Sequence, residues 1–376
     1  MAVPTDVTWD LDQHTAAKHD IIRRYLQAWT PILLSRWPRV TYVDGFAGPG
    51  VYNGGEPGSP VVAFQVFSAA LSSRPGKAVQ MILMDEDSRR VDRLREEMGK
   101  ALAVWAPAPS GQARVPLTSY YQGDCGAALL PALARDVISR NPIFALLDSF
   151  GGPNIPFSLV QRVANMPCGE VLVTFGTFLA RFGKQPAHRE SGDRMFGSSD
   201  WQAVNDQPAN RKAGFLVNQY REALKRAGFK FTLSFEMVDE GGRPLHLIFG
   251  TGDTRGVEKM KEAMWAVDPV YGLRYRDQRD PSQCLLDLQM EPDTCGLRSL
   301  LLTRISASPR GITISELRDY TLLETVYKPT QVIRTVQAMR DNGHVLTEPR
   351  KIAAASIVRI APVHAKPEQG LLFDVG

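Results

Sequence analysis

Acidic side chains follow four apolar, β-favouring segments of the sequence, and a glycine-rich turn follows the first of them. The acids are Asp44, Asp85 with its neighbour Glu86, Asp124 and Asp148. The six residues after Asp44 contain three glycines: Gly45, Gly48 and Gly50. Carboxylates accept hydrogen bonds from hydroxyl and amino groups, while glycines allow a backbone to approach a ligand closely. The pattern predicts a nucleotide-type binding site.

Residues 40–50, which contain this turn, read VTYVDGFAGPG. The glycine spacing differs from the fingerprint of dinucleotide-binding folds, and the Lys-Ser/Thr pair of a phosphate-binding P-loop is missing. A glycine turn by itself also occurs in purely structural loops, and acids at strand ends often cap the following helix. Four acids at successive strand ends favour a binding site over these structural roles.

Strands and helices that would position the acids alternate along the first 270 residues. Apolar runs predict strands at residues 40–44, 78–85, 119–122, 143–148 and 170–175, and a hairpin at 231–238 and 245–249. Helical periodicity lies between the strands, for example at residues 61–70, 88–105 and 126–137. The alternation predicts an α/β fold with a doubly wound sheet, whose ligands bind outside the carboxyl ends of the strands.

Composition and charge place few limits on function. The 376 residues are 44% hydrophobic and carry a formal charge of +4, so the protein is globular and only mildly basic. A membrane-spanning run of about 18 apolar residues and a signal peptide are both missing, which predicts a cytoplasmic protein. The four cysteines are at least eleven residues apart, a spacing that predicts free thiols and no metal site.

Two of these motifs resemble those of S-adenosylmethionine (SAM)-dependent methyltransferases. Residues 44–50 look like their first motif, D-x-F-A-G-x-G, and a hairpin after five parallel strands is the ending expected of the methyltransferase variant of the Rossmann fold. The resemblance implies SAM as cofactor, with Asp85 or Glu86 at the ribose hydroxyls and Asp124 at the adenine amino group. The remaining implied cofactor contacts are Asp44, Phe46, Ala47, Gly48 and Gly50.

The end of the fourth strand carries the candidate catalytic residues. Asp148-Ser149-Phe150-Gly151 looks like the Asp-Pro-Pro-aromatic motif of amino-group methyltransferases with the prolines missing. By that resemblance Asp148 accepts a hydrogen bond from the target amine while Phe150 stacks on the base. Because Ser149 departs from that motif, a non-catalytic relic and a different chemistry remain the alternatives. Cys168 precedes the fifth strand, where a buried structural cysteine is favoured over a nucleophile.

The remaining parts of the chain carry further candidates for binding. His14 and Lys18 lie one turn apart in an N-terminal helical segment, residues 1–35, and periodicity favours a solvated helix face over a ligand role. An irregular basic insertion at 181–208 follows the fifth strand and is a candidate target-binding loop or lid.

The C-terminal part is predicted to be a separate small domain. After a linker at 271–292, residues 293–362 combine three helices with a basic-tipped hairpin, which describes a winged helix-turn-helix; residues 363–376 form a tail. Its basic side chains suit phosphate contacts in DNA or RNA, although winged helices also bind proteins. These side chains are Lys328, Arg334, Arg340, Arg350 and Lys351.

Taken in order, motifs in about the first 270 residues resemble the three-Cys-motif partner protein family, TcmP. They are Trp9…His14-Thr15…Lys18, residues 42–50, Gly58-Ser59-Pro60, Asp148-x-Phe150-Gly151 and residues 247–249. The resemblance implies a partner with three cysteines, a radical SAM enzyme. The sequence thus predicts a SAM-binding methyltransferase-like protein that acts on nucleic acid, with amino-group methylation favoured and a winged helix delivering the substrate. The alternative is a non-catalytic adaptor that recruits the radical enzyme to DNA or RNA.

Overall fold

The computed structural model describes residues 5–105, 114–238, 244–267 and 295–362. These residues form two compact units, one that ends at residue 267 and one that begins at residue 295. The predicted linker at 271–292 and tail at 363–376 lie outside the described residues. Across the described ranges, every helix is too short or too polar to cross a membrane.

A seven-stranded sheet forms the centre of the N-terminal unit. Its strands are β1 (Arg39–Asp44), β2 (Ala78–Asp85), β3 (Leu117–Gln122), β4 (Ile143–Gly151), β5 (Glu170–Phe175), β6 (Phe231–Val238) and β7 (Pro244–Thr251). They are arranged in the order β3-β2-β1-β4-β5-β7-β6. β1 to β5 are parallel, and β7 is antiparallel to both of its neighbours. This is the predicted arrangement, a set of parallel strands closed by an antiparallel hairpin.

Burial explains why these segments form the centre of the sheet. β5 is buried along its whole length and β4 over its first five residues, as expected for parallel strands covered on both faces. Helices supply the covers. They are α1 (Gln13–Leu34), α2 (Ser59–Ser72), α3 (Ser88–Trp105), α4 (Cys125–Ala134), α5 (Asp136–Ser139), α6 (Phe157–Ala164), α7 (Leu179–Phe182), α8 (Pro186–Phe196), α9 (Lys212–Ala227) and α10 (Thr254–Val267).

α1 is the helix that reaches the candidate site. Its N-cap Asp12 accepts a hydrogen bond of 2.7 Å from the Thr15 backbone N–H, and the helix packs against α2 and α10. Along its buried face, Tyr25 donates a 2.6 Å hydrogen bond to Glu170 at the start of β5. α1 is therefore fixed against the sheet, and the residues of its first turns are held in place.

Two predicted elements differ from the structure. The helix expected at 126–137 is divided into α4 and α5 because Arg135 is extended, with ψ of 135°. The stretch 181–208, expected to be irregular, contains the second half of α7, all of α8 and a 3₁₀ helix, Asp200–Asp206. Buried Trp201 holds this region together, since its indole N–H donates a 2.7 Å hydrogen bond to Asp193 and its ring stacks on Phe196.

The C-terminal unit contains three helices and a small sheet. Its elements are α11 (Cys295–Ser306), β8 (Ile312–Thr313), α12 (Ile314–Glu324), α13 (Gln331–Asp341), β9 (Val345–Glu348) and β10 (Ile357–Ile360). β10 lies between β8 and β9 and is antiparallel to both. A capping box between Thr313 and Glu316 begins α12.

Candidate functional site

Asp44, the last residue of β1, is completely buried and holds the start of the glycine turn. Its carboxylate accepts hydrogen bonds from the Ser59 hydroxyl (2.7 Å), the Tyr42 hydroxyl (3.2 Å) and the Phe46 backbone N–H (3.3 Å). Burial raises the pKa of Asp44 to about 6, although these donors favour the charged form. Because Ser59 is the first residue of α2, Asp44 ties the end of β1 to the helix beyond the turn.

The glycine turn packs too closely for side chains at several positions. Gly48 and Gly50 have φ of 60° and 76°, a region that favours glycine. The Gly58 N–H donates a 2.8 Å hydrogen bond to the Gly50 carbonyl, and a Cβ at Gly58 would lie 3.0 Å from the Gly50 backbone. The turn is therefore a closed backbone loop, and its end lies directly before α2.

Asp85, the last residue of β2, is joined to the turn. Its Oδ2 accepts a 3.1 Å hydrogen bond from the Gly48 N–H and its Oδ1 one of 2.9 Å from the Asp87 N–H, while the Arg90 guanidinium lies 3.9 Å from Oδ1. Burial raises the pKa of Asp85, although these donors and Arg90 oppose the effect. A hydrogen bond thus joins Asp85 to the backbone of the glycine turn at the carboxyl ends of β1 and β2.

Glu86 and Asp124 lie apart from the pocket described below. Glu86 is exposed beside Asp85. Asp124 is also exposed and caps α4, where it accepts a 3.0 Å hydrogen bond from the Ala127 N–H. Their predicted contacts with ribose and adenine stay predictions.

The end of β4 forms a strained turn that directs Phe150 into the pocket. Phe150 has φ of 54°, an uncommon conformation for a bulky residue, and Gly151 has φ of 78°. The Ser149 hydroxyl donates a 2.7 Å hydrogen bond to the Gly152 carbonyl, and the Gly151 carbonyl accepts one of 3.1 Å from the Gly176 N–H. Ser149 therefore fixes the turn through its side chain. Strain of this kind is concentrated at functional sites.

Lys18 forms an ion pair with Asp148 inside the pocket. Its ammonium nitrogen contacts Asp148 Oδ2, and Lys18 is only 5% exposed. The prediction of a solvated helix face is therefore wrong for Lys18, because α1 lies against the sheet and directs this position toward the end of β4. Asp148 is largely buried, which disfavours its charged form, but Lys18, together with Thr174 and His19, outweighs this effect and lowers the pKa of the carboxyl.

His19 follows Lys18 on the same turn of α1. Its Nε2 lies 3.5 Å from the Tyr52 hydroxyl, and the two rings are 5.7 Å apart. Burial, reinforced by the neighbouring Lys18, lowers the pKa of His19 to about 3. The imidazole is therefore neutral at physiological pH, and it is too weak a base to act as a general base there.

Trp9 lines the pocket and contacts two of its other aromatic residues. Its ring meets Tyr52 and Phe150 edge-on at centroid distances of 5.9 Å and 5.8 Å, and the Arg90 guanidinium lies 5.0 Å from its centre. The Trp9 carbonyl accepts a 2.9 Å hydrogen bond from the Asn53 N–H. The sequence marked Trp9 as a motif residue but gave no signal that it closes the pocket.

One pocket joins the three elements. Its walls come from the glycine turn, from α1 through Thr15, Lys18 and His19, and from the end of β4 through Asp148 and Phe150, with Trp9 and Tyr52 at its rim. Of the predicted site residues the pocket brings together six: Phe46, Ala47, Gly48, Gly50, Asp148 and Phe150. Asp44 and Asp85 do not line the pocket. Each accepts a hydrogen bond from a backbone N–H of the glycine turn that does.

Cys168 is exposed, so the prediction of a buried cysteine is wrong. It lies in the turn before β5, with φ of 44°. Because ligands of such sheets bind at the carboxyl edge, Cys168 lies at the opposite edge from the pocket. It is therefore placed away from the candidate chemistry.

The basic residues of the C-terminal unit differ in their availability. Arg334 on α13 is exposed, as are Arg350 and Lys351 in the turn between β9 and β10. Arg340 is half-buried, pairs with Asp341 and donates a 2.7 Å hydrogen bond to the Arg350 carbonyl. Lys328 is half-buried before α13. Three of the five predicted contact residues therefore present exposed side chains.

Comparisons with known proteins yield only distant structural likenesses. No family model and no curated protein sequence matches the chain. The O-methyltransferase TomG from Streptomyces achromogenes, in complex with SAM, is 15% identical with a TM-score of 0.35, and the match covers 61% of this chain and 79% of that one. An O-methyltransferase from Bacillus cereus, in complex with SAH, is 10% identical with a TM-score of 0.35 over 61% and 80% of the chains. A putative O-methyltransferase from Klebsiella pneumoniae is 12% identical with a TM-score of 0.35 over 67% and 84%.

Proposed function

We propose that the N-terminal unit is a SAM-dependent methyltransferase that methylates an amino group in nucleic acid. The observation that carries the proposal is the pocket itself. It unites the glycine turn after β1 with Asp148 and Phe150 at the end of β4. The two motifs that sequence resemblance assigns to cofactor and acceptor are separated by about a hundred residues, yet they share one cavity.

The residues around the turn fit SAM. Gly48, Gly50 and Gly58 let the turn pack closely against Trp9, Leu94 and its own backbone, which a Cβ would meet within 3.3 Å, so that backbone groups line the pocket. The free backbone N–H groups at the start of α2 suit the carboxylate of the methionine moiety, and Asp85 at the end of β2 suits the ribose hydroxyls. SAM, when bound, supplies a methyl group on a sulfonium sulfur, and the neutral thioether is a good leaving group.

At the methyl-acceptor end of the pocket, the Asp148 carboxylate orients the amine by accepting a hydrogen bond from one of its N–H groups. Phe150 offers an aromatic face to the base that carries the amine. Trp9 and Tyr52 at the rim exclude water from the cavity, which strengthens the hydrogen bond to Asp148. Alignment and desolvation are the main requirements of methyl transfer, so the chain needs few dedicated catalytic groups.

The C-terminal unit binds the nucleic acid in this proposal, as a winged helix. Three helices followed by a hairpin suit this reading, with α13 as the recognition helix and the β9–β10 turn as the wing. Arg334, Arg350 and Lys351 are exposed for phosphate contacts. The three-Cys-motif protein implied by the family resemblance is the proposed partner.

Transfer of a labelled methyl group from SAM to DNA, RNA and protein pools tests the proposal, with and without that partner. We expect label in nucleic acid, and a loss on the order of 100-fold for Asp148→Ala, because that variant has no side-chain oxygen to accept the hydrogen bond of the amine. Asp136→Asn, which removes an exposed carboxylate of α5, is the control and keeps full activity. SAM binding without label in any pool would refute catalysis and favour the adaptor alternative.

A further inference from the structure

The buried ion pair between Lys18 and Asp148 joins α1 to the end of β4 within the pocket. We propose that Lys18 is a positioning residue that holds Asp148 ionised, so that the carboxylate accepts a hydrogen bond from the incoming amine. This inference rests on the proposed function for the identity of the acceptor. Its core, the control of Asp148 by Lys18, stands on geometry alone.

Stability does not account for this pair. Two charges that leave water lose hydration worth several kcal/mol each, and apolar side chains of similar volume often serve a fold equally well. Neighbouring positions on α1 are filled in that way, with Ile21 and Ile22 packed into the core. A lysine and an aspartate retained at the wall of a pocket therefore point to a requirement of the site.

The surroundings of Asp148 favour protonation once Lys18 is removed. Asp148 Oδ1 is buried and has no hydrogen-bond partner of regular geometry among the described residues, although the nearby Thr174 hydroxyl favours the charged form. Buried Asp44 is close enough for each negative charge to disfavour the other. The groups that face Asp148 are Lys18 and His19 on α1, Tyr42 and Asp44 on β1, Tyr52 in the glycine-turn loop and Thr174 on β5.

His19 cannot take over the role of Lys18. Burial is the largest cause of the lowered pKa of its imidazole, and burial remains when Lys18 is removed, so the neutral ring is still favoured. Without the lysine, the Asp148 carboxyl takes up a proton and presents an O–H donor toward the pocket. The neutral carboxyl offers the amine N–H only a weaker carbonyl acceptor, so the substrate is oriented less well.

The first experiment needs no activity. Thermal unfolding of wild type, Lys18→Met, Asp148→Asn and the double variant is followed at about pH 4.5 and about pH 7.5. In wild type, the lowered pKa of Asp148 contributes stability above the carboxyl's unfolded pKa, and this contribution is lost as pH falls. In Lys18→Met the pKa is raised, so stability falls as pH rises. We expect a Tm deficit for Lys18→Met of about 3 °C or more at the higher pH, and a smaller one at the lower pH.

The double variant tests whether the effect of Lys18→Met on stability depends on Asp148. In the Asp148→Asn background Lys18 is a buried cation without its carboxylate, so Lys18→Met should be neutral or stabilising there. Arg24→Met is the matched control, since it removes an exposed ion pair with Asp20 from the same helix. A Lys18→Met effect that is the same in both backgrounds, or independent of pH, would overturn the proposal.

The second experiment uses methyl transfer by the full chain. Lys18→Met should lower kcat on the order of 10- to 100-fold near pH 7, shift the acidic limb of the pH profile upward and leave the KM for SAM within about threefold. Lys18→Arg keeps the charge and should restore much of the rate. Equal turnover by Lys18→Met and wild type at all pH values would refute the positioning role. Absent transfer by wild type would instead refute the proposed function, and the unfolding experiment would still decide the claim about Lys18.

Discussion

Replacing Asp44 by asparagine should change the pH dependence of stability in a direction that the structure fixes. The Asp44 carboxyl is fully buried, and burial raises its pKa from 3.8 to about 6. Since the folded pKa lies above the unfolded one, the native state binds the proton more tightly at intermediate pH. The free energy of unfolding of wild type therefore falls as pH rises through this window.

The size of the effect follows from the shift. One pKa unit corresponds to about 1.4 kcal/mol, so the full contribution is roughly 3 kcal/mol. About 2 kcal/mol of this is lost between about pH 4.5 and about pH 7.5. Asp44→Asn has no titrating group at this position. Its stability relative to wild type should therefore rise by about 2 kcal/mol across that range, on top of a constant loss of about 1 kcal/mol for one missing acceptor.

Urea unfolding followed by tryptophan fluorescence measures this difference in the N-terminal unit. All six tryptophans of the chain precede residue 268, so the C-terminal unit contributes no signal. Asp136→Asn is the control, because its side chain is 86% exposed and its loss should change stability by less than about 0.5 kcal/mol at either pH. A difference between Asp44→Asn and wild type that stays constant with pH would refute the account of Asp44.

Two further predictions concern the glycine turn and the C-terminal unit. Gly48→Ala should destabilise by about 1–2 kcal/mol and weaken SAM binding, because Gly48 has φ of 60° and a Cβ would lie 3.3 Å from the Trp9 ring. Gly55→Ala is the control, because it also forces a left-handed backbone conformation on alanine but has open space around the Cβ. Calorimetry should therefore find its SAM affinity unchanged. Equal weakening of SAM binding by both variants would contradict the role of Trp9. In gel shifts over a salt series, alanine at Arg334 or Lys351 should lower the salt slope of nucleic-acid affinity by about 1 each. An unchanged slope would show that these residues of the C-terminal unit do not contact the nucleic acid.

The sheet was predictable because local sequence determines its strands. The buried runs of β1, β2, β4 and β5 are continuous and apolar, and each ends near an acid or a glycine that breaks the strand. Asp44, Asp85 and Asp148 were found for the same reason, since parallel strands bring their carboxyl ends to one edge. Connectivity alone therefore gave the approximate place of the site.

What could not be predicted depends on contacts between distant segments. The burial of Lys18 follows from the docking of α1 on the sheet, and helical periodicity contains no information about the residue it meets, Asp148. The helices of the insertion after β5 pack around Trp201, for which Gly183 and Gly192 leave room, with Cβ positions that would lie within 2.9 Å of its ring. Trp9 closes the pocket through contacts with Tyr52 and Phe150, none of which local pattern can indicate.

Titration calorimetry with SAM tests the central claim, that the glycine turn and the acid of β2 form a cofactor site. We expect saturable heat for wild type at one site per chain. Asp85→Ala should weaken the affinity at least tenfold, because the variant loses the carboxylate that contacts both the Gly48 N–H and the proposed ribose. Asp136→Asn should bind as wild type does. Absence of heat with wild type, or wild-type affinity in Asp85→Ala, would contradict the account.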